Sequence, residues 1–283
     1  MISTETQNQL HQKYNPDGSE LRLLQNHLLL LLDYFDKICQ DNNIKYWLSS
    51  GTCLGSIRHG GFIPWDDDID VEMLREDYLK FIKVWKDNND FVLQTYKNDL
   101  YYTEPFAKLR LRNTYVSEGY VTSLYRHKGI FLDIFIMEQS NAIVAHICHF
   151  LLGSLRHLSF HLKSNCIINF GFKLLKNCCF GVIDCLRLFN FLSNGKELRH
   201  TIGTGVVRNV RNKEDIFPLG QAKFENSTYP IPGNVDSYLK KMYGDYMEIP
   251  HIIHTHSLKS IIFLSESDFH KLSENYYHGR LQT

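Results

Sequence analysis

The sequence predicts an α+β protein, a mixed β-sheet core flanked by helices with a helical insertion. Three observations carry this. Residues 21–43 place Leu21, Leu24, Leu28, Leu31, Leu32, Phe35 and Ile38 at helical spacings of three and four. Short β-rich runs follow, separated by an amphipathic stretch. Residues 141–205 then turn rich in Leu, Phe, Ile, Cys and His, with seven Lys or Arg against two acids, a net +5.

The elements can be taken in order. The first helix closes at Asp41-Asn42-Asn43, and Tyr46-Trp47-Leu48 reads as a short strand entering the Gly-rich run 50–56. Ile69 to Met73 reads as a strand and Arg75 to Lys86 as an amphipathic helix. Phe91 to Tyr96, Phe106 to Arg112 and Gly129 to Met137 read as further strands. Residues 141–205 are expected to form two or three helices. Asp236 to Tyr243 reads as a helix ended by Gly244. The expected organisation is a catalytic core at 20–140, a basic apolar helical segment at 141–205, and a C-terminal part at 206–283 that completes the core.

Composition narrows the class. Lys plus Arg total 31 and Asp plus Glu total 31, so the chain is formally neutral and no nucleic-acid coat is expected. Seven cysteines, an odd number without C-x-x-C spacing, fit buried thiols in a reducing compartment rather than a disulfide or zinc framework. The polar first twenty residues lack the apolar core of a signal peptide. No charge-free apolar run reaches about 18 residues, so a standard transmembrane helix is not expected. A cytoplasmic protein is expected, with residues 141–205 either resting on an anionic membrane surface or packing as an ordinary subdomain.

The chemistry concentrates in Ile63-Pro64-Trp65-Asp66-Asp67-Asp68-Ile69-Asp70-Val71, where four carboxylates occupy five positions. Such crowding costs Coulomb repulsion that a cation relieves. On a strand, Asp68 and Asp70 point to one face and Ile69 and Val71 to the core. Hard oxygen donors of this kind suit Mg²⁺ or Mn²⁺. For Asp66 and Asp67 taken alone, a solvated acidic turn is the expectation. Asp133, inside the apolar run 129–135, is a third candidate ligand or a general base; its alternative is a salt bridge to a buried Arg or Lys.

Two small elements precede the acids. Eleven residues lie between Ser56 and Asp68, and Gly55-Ser56 at that distance fits a backbone-and-hydroxyl cradle for phosphate. Gly51-Thr52 is a second candidate of the same kind, and spacing does not choose between them. The pattern of hydrophobic-Gly-Ser followed by paired acids resembles that of the nucleotidyltransferase superfamily. Lys108, Arg110 and Arg112 alternate with Leu109 and Leu111, so a cationic stripe faces either a diphosphate or, on an edge strand, solvent. Arg58 is a further phosphate candidate. Tyr46 and Trp47 are candidates for base stacking, with core packing as the alternative. His251, His254 and His256 cluster without zinc spacing.

The run from Ser50 to Asp70 resembles the signature of the LicD family. So do residues 106–110, 127–135 and 238–247, and the resemblance spans about 20–140 and 215–257. It implies a nucleotidyltransferase-like core and transfer of a phospho-alcohol, phosphocholine in the best-known members, from a CDP-activated donor such as CDP-choline. It implies a cell-surface or lipid-linked glycan as acceptor: lipopolysaccharide, teichoic acid or capsular polysaccharide. It places metal ligation on Asp68 and Asp70, with Asp133 at the later carboxylate. The competing expectations are a nucleotidyltransferase that releases pyrophosphate from NTP and a non-catalytic membrane-surface scaffold.

Overall fold

The computed structural model describes residues 2–117, 123–161, 165–192, 197–200, 210–250 and 260–277, with the side chains of 189–192 and 275–277 left out. His251, His254 and His256 lie outside these residues. The elements run α1 (Thr4–Tyr14), α2 (Glu20–Asp41), β1 (Trp47–Leu48), α3 (Ser50–Arg58), β2 (Asp70–Leu74), α4 (Arg75–Val84) and β3 (Phe91–Gln94). Then come β4 (Ala107–Leu111), β5 (Tyr115–Val116), β6 (Phe131–Gln139), α5 (Ala142–His161), α6 (Cys166–Leu192), β7 (Glu197–His200), β8 (Val210–Asn212) and α7 (Lys213–Ile216). The chain continues with β9 (Gly220–Phe224), β10 (Ser227–Ile231), α8 (Val235–Tyr243), β11 (Ile261–Ile262) and α9 (Glu266–Tyr277).

The main sheet is mixed, as expected. Its order is β1-β2-β6-β4-β3, with β2 and β6 parallel and the other pairs antiparallel. β6 is long because it serves three partners: residues 133–137 pair with β2 on one edge, and on the other residues 131–134 pair with β4 and residues 137–139 with β7. That last pairing differs from the expectation of an all-helical 141–205, because β7 brings the end of that segment into the sheet.

Period-two alternation decides which face of the sheet is dry. Val71, Met73, Leu109, Leu111, Leu132, Ile134 and Ile136 join Leu24, Leu28, Leu31 and Phe35 of α2 in the main core. α2 starts where the Ser19 side chain accepts the Arg22 N–H, a standard cap. It buries nearly all of one side and more, which is why its apolar pattern covers more than one face. Polar groups of α2 facing the interior are matched. Tyr229 donates to Asp33 (2.6 Å) and Tyr46 donates to Asp36 (2.6 Å).

α5 and α6 form a hairpin with its own small core of Val144, Cys148, Leu152, Phe172, Phe180 and Ile183. By length and composition both helices are apolar enough to cross a membrane. Neither contains a long charge-free run, because Arg156 in one and Lys173 and Lys176 in the other interrupt the apolar sequence. α8 ends as expected at Gly244, whose φ of 66° lies in the left-handed region glycine tolerates.

Candidate active site

The site is built on the other face of the sheet. Asp70, Lys108, Arg110 and Asp133 alternate with the core residues above and therefore share that face. The register sets them side by side: Asp70 opposes Asp133 on β2 and β6, and Lys108 opposes Asp133 on β4 and β6. Lys108 makes an ion pair with Asp133 (3.0 Å) and lies 3.2 Å from the centre of the Phe131 ring. The salt bridge considered for Asp133 is thus present, with Lys108 as its partner.

The acidic turn precedes β2. The strand begins at Asp70, so Asp68 stands in the extended segment before it rather than on it. The Asp66 N–H donates to the Ile63 carbonyl (2.9 Å), and the Asp66 carbonyl accepts from Gln25 Nε2 (2.9 Å). Gln25 is buried on α2 and accepts in turn from Asn15 Nδ2 (2.7 Å). A buried amide chain therefore holds the turn from below. Asp66, Asp67 and Asp68 each place a carboxylate oxygen within 4.8 Å of the others. Asp66 and Asp67, expected to be solvated on their own, thus group with Asp68. Asp70 and Asp133 lie outside that triplet.

The electrostatics follow from the crowding. Burial, then the charges of Asp68 and Asp67, push the Asp66 carboxyl well above the usual range. Burial, then Asp68, Asp133 and Asp66, push Asp70 up likewise, and Lys108 only partly opposes this. A divalent cation fits such a donor set: hard oxygens, clustered and mutually repelling. Asp66, Asp67 and Asp68 offer the ligand atoms, with Asp70 beside them.

The structure separates the two Gly-hydroxyl elements. Both lie on α3, which leaves β1 at Ser49. Thr52 Oγ1 accepts the Asp70 N–H (2.9 Å), and a Cβ on Gly51 would stand 2.7 Å from Asp66 Oδ2. Gly51 and Thr52 therefore border the acids. Gly55 and Ser56 do not. A Cβ on Gly55 would stand 2.4 Å from the Gly61 carbonyl, and the buried Ser56 hydroxyl donates to the Cys53 carbonyl (2.7 Å). Their role is close packing of α3 on the loop before the acidic turn.

Two cations also differ from expectation. Arg58 is buried and donates to the carbonyls of Tyr246 (2.8 Å) and Glu248 (2.9 Å), tying α3 to the chain after α8. Arg110 is buried, donating to Gln94 Oε1 (2.5 Å) and the Gly129 carbonyl (2.7 Å). Both side chains are buried and held by protein carbonyls and amides, which argues against a phosphate contact for either. β4 is an inner strand, so the solvated-edge reading of the stripe fails and only Lys108 stands at the acids. Trp47 and Tyr46 are fully packed, which excludes base stacking.

One residue escaped sequence reasoning. Glu72 continues the Asp68-x-Asp70 alternation and is completely buried. It accepts from Trp47 Nε1 (2.7 Å) and Tyr238 OH (3.0 Å), meets His200 Nε2 (2.5 Å), and pairs with Arg211 (3.4 Å). Burial alone would raise its pKa, but Arg211 and His200 overcome it and hold the carboxyl below its ordinary range. The signal was the period-two continuation; its partners come from four distant elements.

Residues 43–161 match the nucleotidyltransferase domain of LicD/FKTN/FKRP. The chain is 40% identical over 113 residues to the lipopolysaccharide cholinephosphotransferase LicD of Haemophilus influenzae, covering 39% of this chain and 41% of that protein. Over 48 residues it is 44% identical to the ribitol-5-phosphate transferase FKTN of Mus musculus, 17% of this chain and 10% of that protein. Over 44 residues it is 41% identical to the human ribitol 5-phosphate transferase FKRP, 16% of this chain and 9% of that protein. The chain thus matches less than half the length of each of these relatives. The span that matches this domain, residues 43–161, contains every residue of the acidic site.

Proposed function

We propose that this chain is a metal-dependent phosphotransferase that moves a phospho-alcohol, phosphocholine-like, from a CDP-activated donor to a glycan hydroxyl. One observation carries the reading: three carboxylates within 4.8 Å of one another at the mouth of a strand pair that sets Asp70 against Asp133. The relatives named as cholinephosphotransferase and ribitol-phosphate transferases support the reaction class and a glycan acceptor. The free thiols suit a reducing compartment, and we place the reaction in the cytoplasm.

The residues take distinct roles. Asp68, with Asp66 and Asp67, would hold Mg²⁺ or Mn²⁺, with Asp70 next to these three carboxylates. The ion supplies charge neutralisation for the donor diphosphate. Gly51 leaves room at Asp66, and Thr52 fixes the Asp70 backbone. Lys108 supplies the positive charge beside Asp133 that meets a phosphate oxygen of the donor. The acceptor oxygen attacks the phosphorus bearing the alcohol, its bond to CMP breaks, and Asp133 receives the hydroxyl proton.

Purified protein should be incubated with CDP-choline, CDP-ribitol or CDP-glycerol, with and without Mg²⁺ and acceptor glycan. CMP release that needs both metal and acceptor supports the proposal. Pyrophosphate release from NTP, with no CMP from any CDP-alcohol, would replace it by nucleotidyl transfer.

A further inference from the structure

The α5–α6 hairpin is turned outward in a way the rest of the molecule is not. Twelve of the seventeen exposed large hydrophobic residues among the described residues lie on it, including Phe150 (72% exposed), Ile167 (82%) and Phe170 (63%). A soluble surface does not normally expose so continuous an apolar face without a partner.

On its other side α6 is pinned to the core along most of its length, and α5 is tied to it at Arg156. Tyr101 donates to Asn169 (2.7 Å), and Lys176 donates to the carbonyls of Asp99 and Leu100 (both 2.8 Å). Tyr96 stacks on Phe180 (3.6 Å), Arg187 pairs with Glu138 (2.9 Å), and Arg156 pairs with Glu104 (2.6 Å). On α6 these anchors recur every four to seven residues from 169 to 187. A helix held on one side throughout cannot stand upright in a bilayer without giving them up. Its outward side is therefore placed to lie flat, in the plane of a surface.

Charge identifies that surface. Across 142–188 the sequence contains five Lys or Arg and one acid, Asp184. Asp184 is taken up by Arg187 (2.5 Å) and Arg75 (3.8 Å). Lys173 is exposed among the apolar side chains. A second copy of this chain docked face to face would bring Lys173 to a face whose one acid, Asp184, is already paired with Arg187 and Arg75. An anionic lipid surface answers both features, burying the apolar side chains and pairing with Lys173, the outward-facing cation among the described residues of the hairpin.

We propose that the outward face of α5 and α6 docks flat on an anionic lipid surface. The placement serves the chemistry: the 99–104 segment that grips the hairpin ends in Glu104, whose carboxyl lies within electrostatic reach of Lys108 and Asp133. Docking would set the acidic site beside the membrane, where a lipid-linked acceptor is found.

The test is binding to vesicles of phosphatidylglycerol and phosphatidylcholine, with pure phosphatidylcholine as control; it reads no turnover and so stands apart from the catalytic proposal. The intact protein should float with anionic vesicles about tenfold more tightly than with neutral ones. The double variant Phe150→Ser/Phe170→Ser, both positions exposed, should lose about tenfold in partitioning with an unchanged melting temperature. Cys166, Cys178 and Cys185 are exposed on α6 and give a second readout. Their reaction with a water-soluble maleimide should slow severalfold on adding anionic vesicles. Absence of flotation, equal partitioning of the variant, or unchanged labelling would overturn the proposal. So would a dimer, found by sedimentation, that the double variant abolishes and lipid does not displace.

Discussion

Asp70 and Glu72 stand two residues apart on the same face of one strand, yet their surroundings are opposite. Asp70 lies at the strand's mouth, where Asp66, Asp68 and Asp133 crowd it and Lys108 alone opposes them. Glu72 lies one step deeper and is met by Arg211, His200, Trp47 and Tyr238. The protein completes the charge of one carboxylate and leaves the other in excess negative charge. Excess at an accessible mouth is what a cation and a diphosphate require; completion in the interior is what a folded sheet requires.

The comparison breaks most visibly at its two ends. Asp68→Ala should lower transfer by about 10³-fold, while the melting temperature of metal-free protein holds or rises because one repelling charge is gone. Glu72→Ala should do the reverse. It strands Arg211 in the interior and should cost about 3–5 kcal/mol in urea unfolding. A stable, folded Glu72→Ala protein would show that the buried network is not structural. Lys108→Met, which keeps the stem and removes the charge, should reduce transfer by about 10²-fold, read as a fall in kcat rather than a rise in KM.

The two glycines sharpen the comparison at smaller scale. Gly55→Ala drives a methyl group into the Gly61 carbonyl and should destabilise by about 1–3 kcal/mol in thermal unfolding. Gly51→Ala meets only the movable end of the Asp66 side chain. Stability should hardly change, and transfer should fall about tenfold as Asp66 turns away.

The smallest effect is on pH. Asp66 and Asp70 have folded pKa values above their unfolded ones, so the metal-free folded state gains protons, and stability, as pH falls toward the ordinary carboxylate range near 4. Glu72 acts oppositely. Its contribution is full above its unfolded value and disappears only as pH falls through its depressed folded value. Melting temperature in chelator should therefore rise modestly from pH 7.5 to 5, and Asp70→Asn should flatten that rise.

Much of this is legible in the chain itself. Period-two alternation places Lys108, Arg110, Asp133 and Asp70 on the face away from Leu109, Ile134 and Val71, because strand geometry leaves no other choice. Helical periodicity places α2, and the glycine at 244 places the end of α8. Other features are not legible there. Gly51-Thr52 and Gly55-Ser56 look alike in sequence, and only the position of the Asp66 carboxylate and the Gly61 carbonyl tells them apart. Arg58 and Arg110 read as phosphate candidates in sequence, and only the fold shows both buried against the carbonyls of Tyr246, Glu248 and Gly129. β7 is hidden at the end of a helical composition because its partner, the far end of β6, lies about sixty residues earlier.

The sequence by itself determined the local quantities: which residues are helical, which alternate, and that four carboxylates fall within five positions. These depend on neighbours in the chain, whose geometry the backbone sets. The tertiary structure decided which charges meet opposite charges and which are crowded among like ones. It gave Glu72 four partners from 25 to 166 residues away and left Asp66, Asp67 and Asp68 facing one another. Charge compensation is settled by distance in space, and at these separations in sequence only the fold supplies that distance.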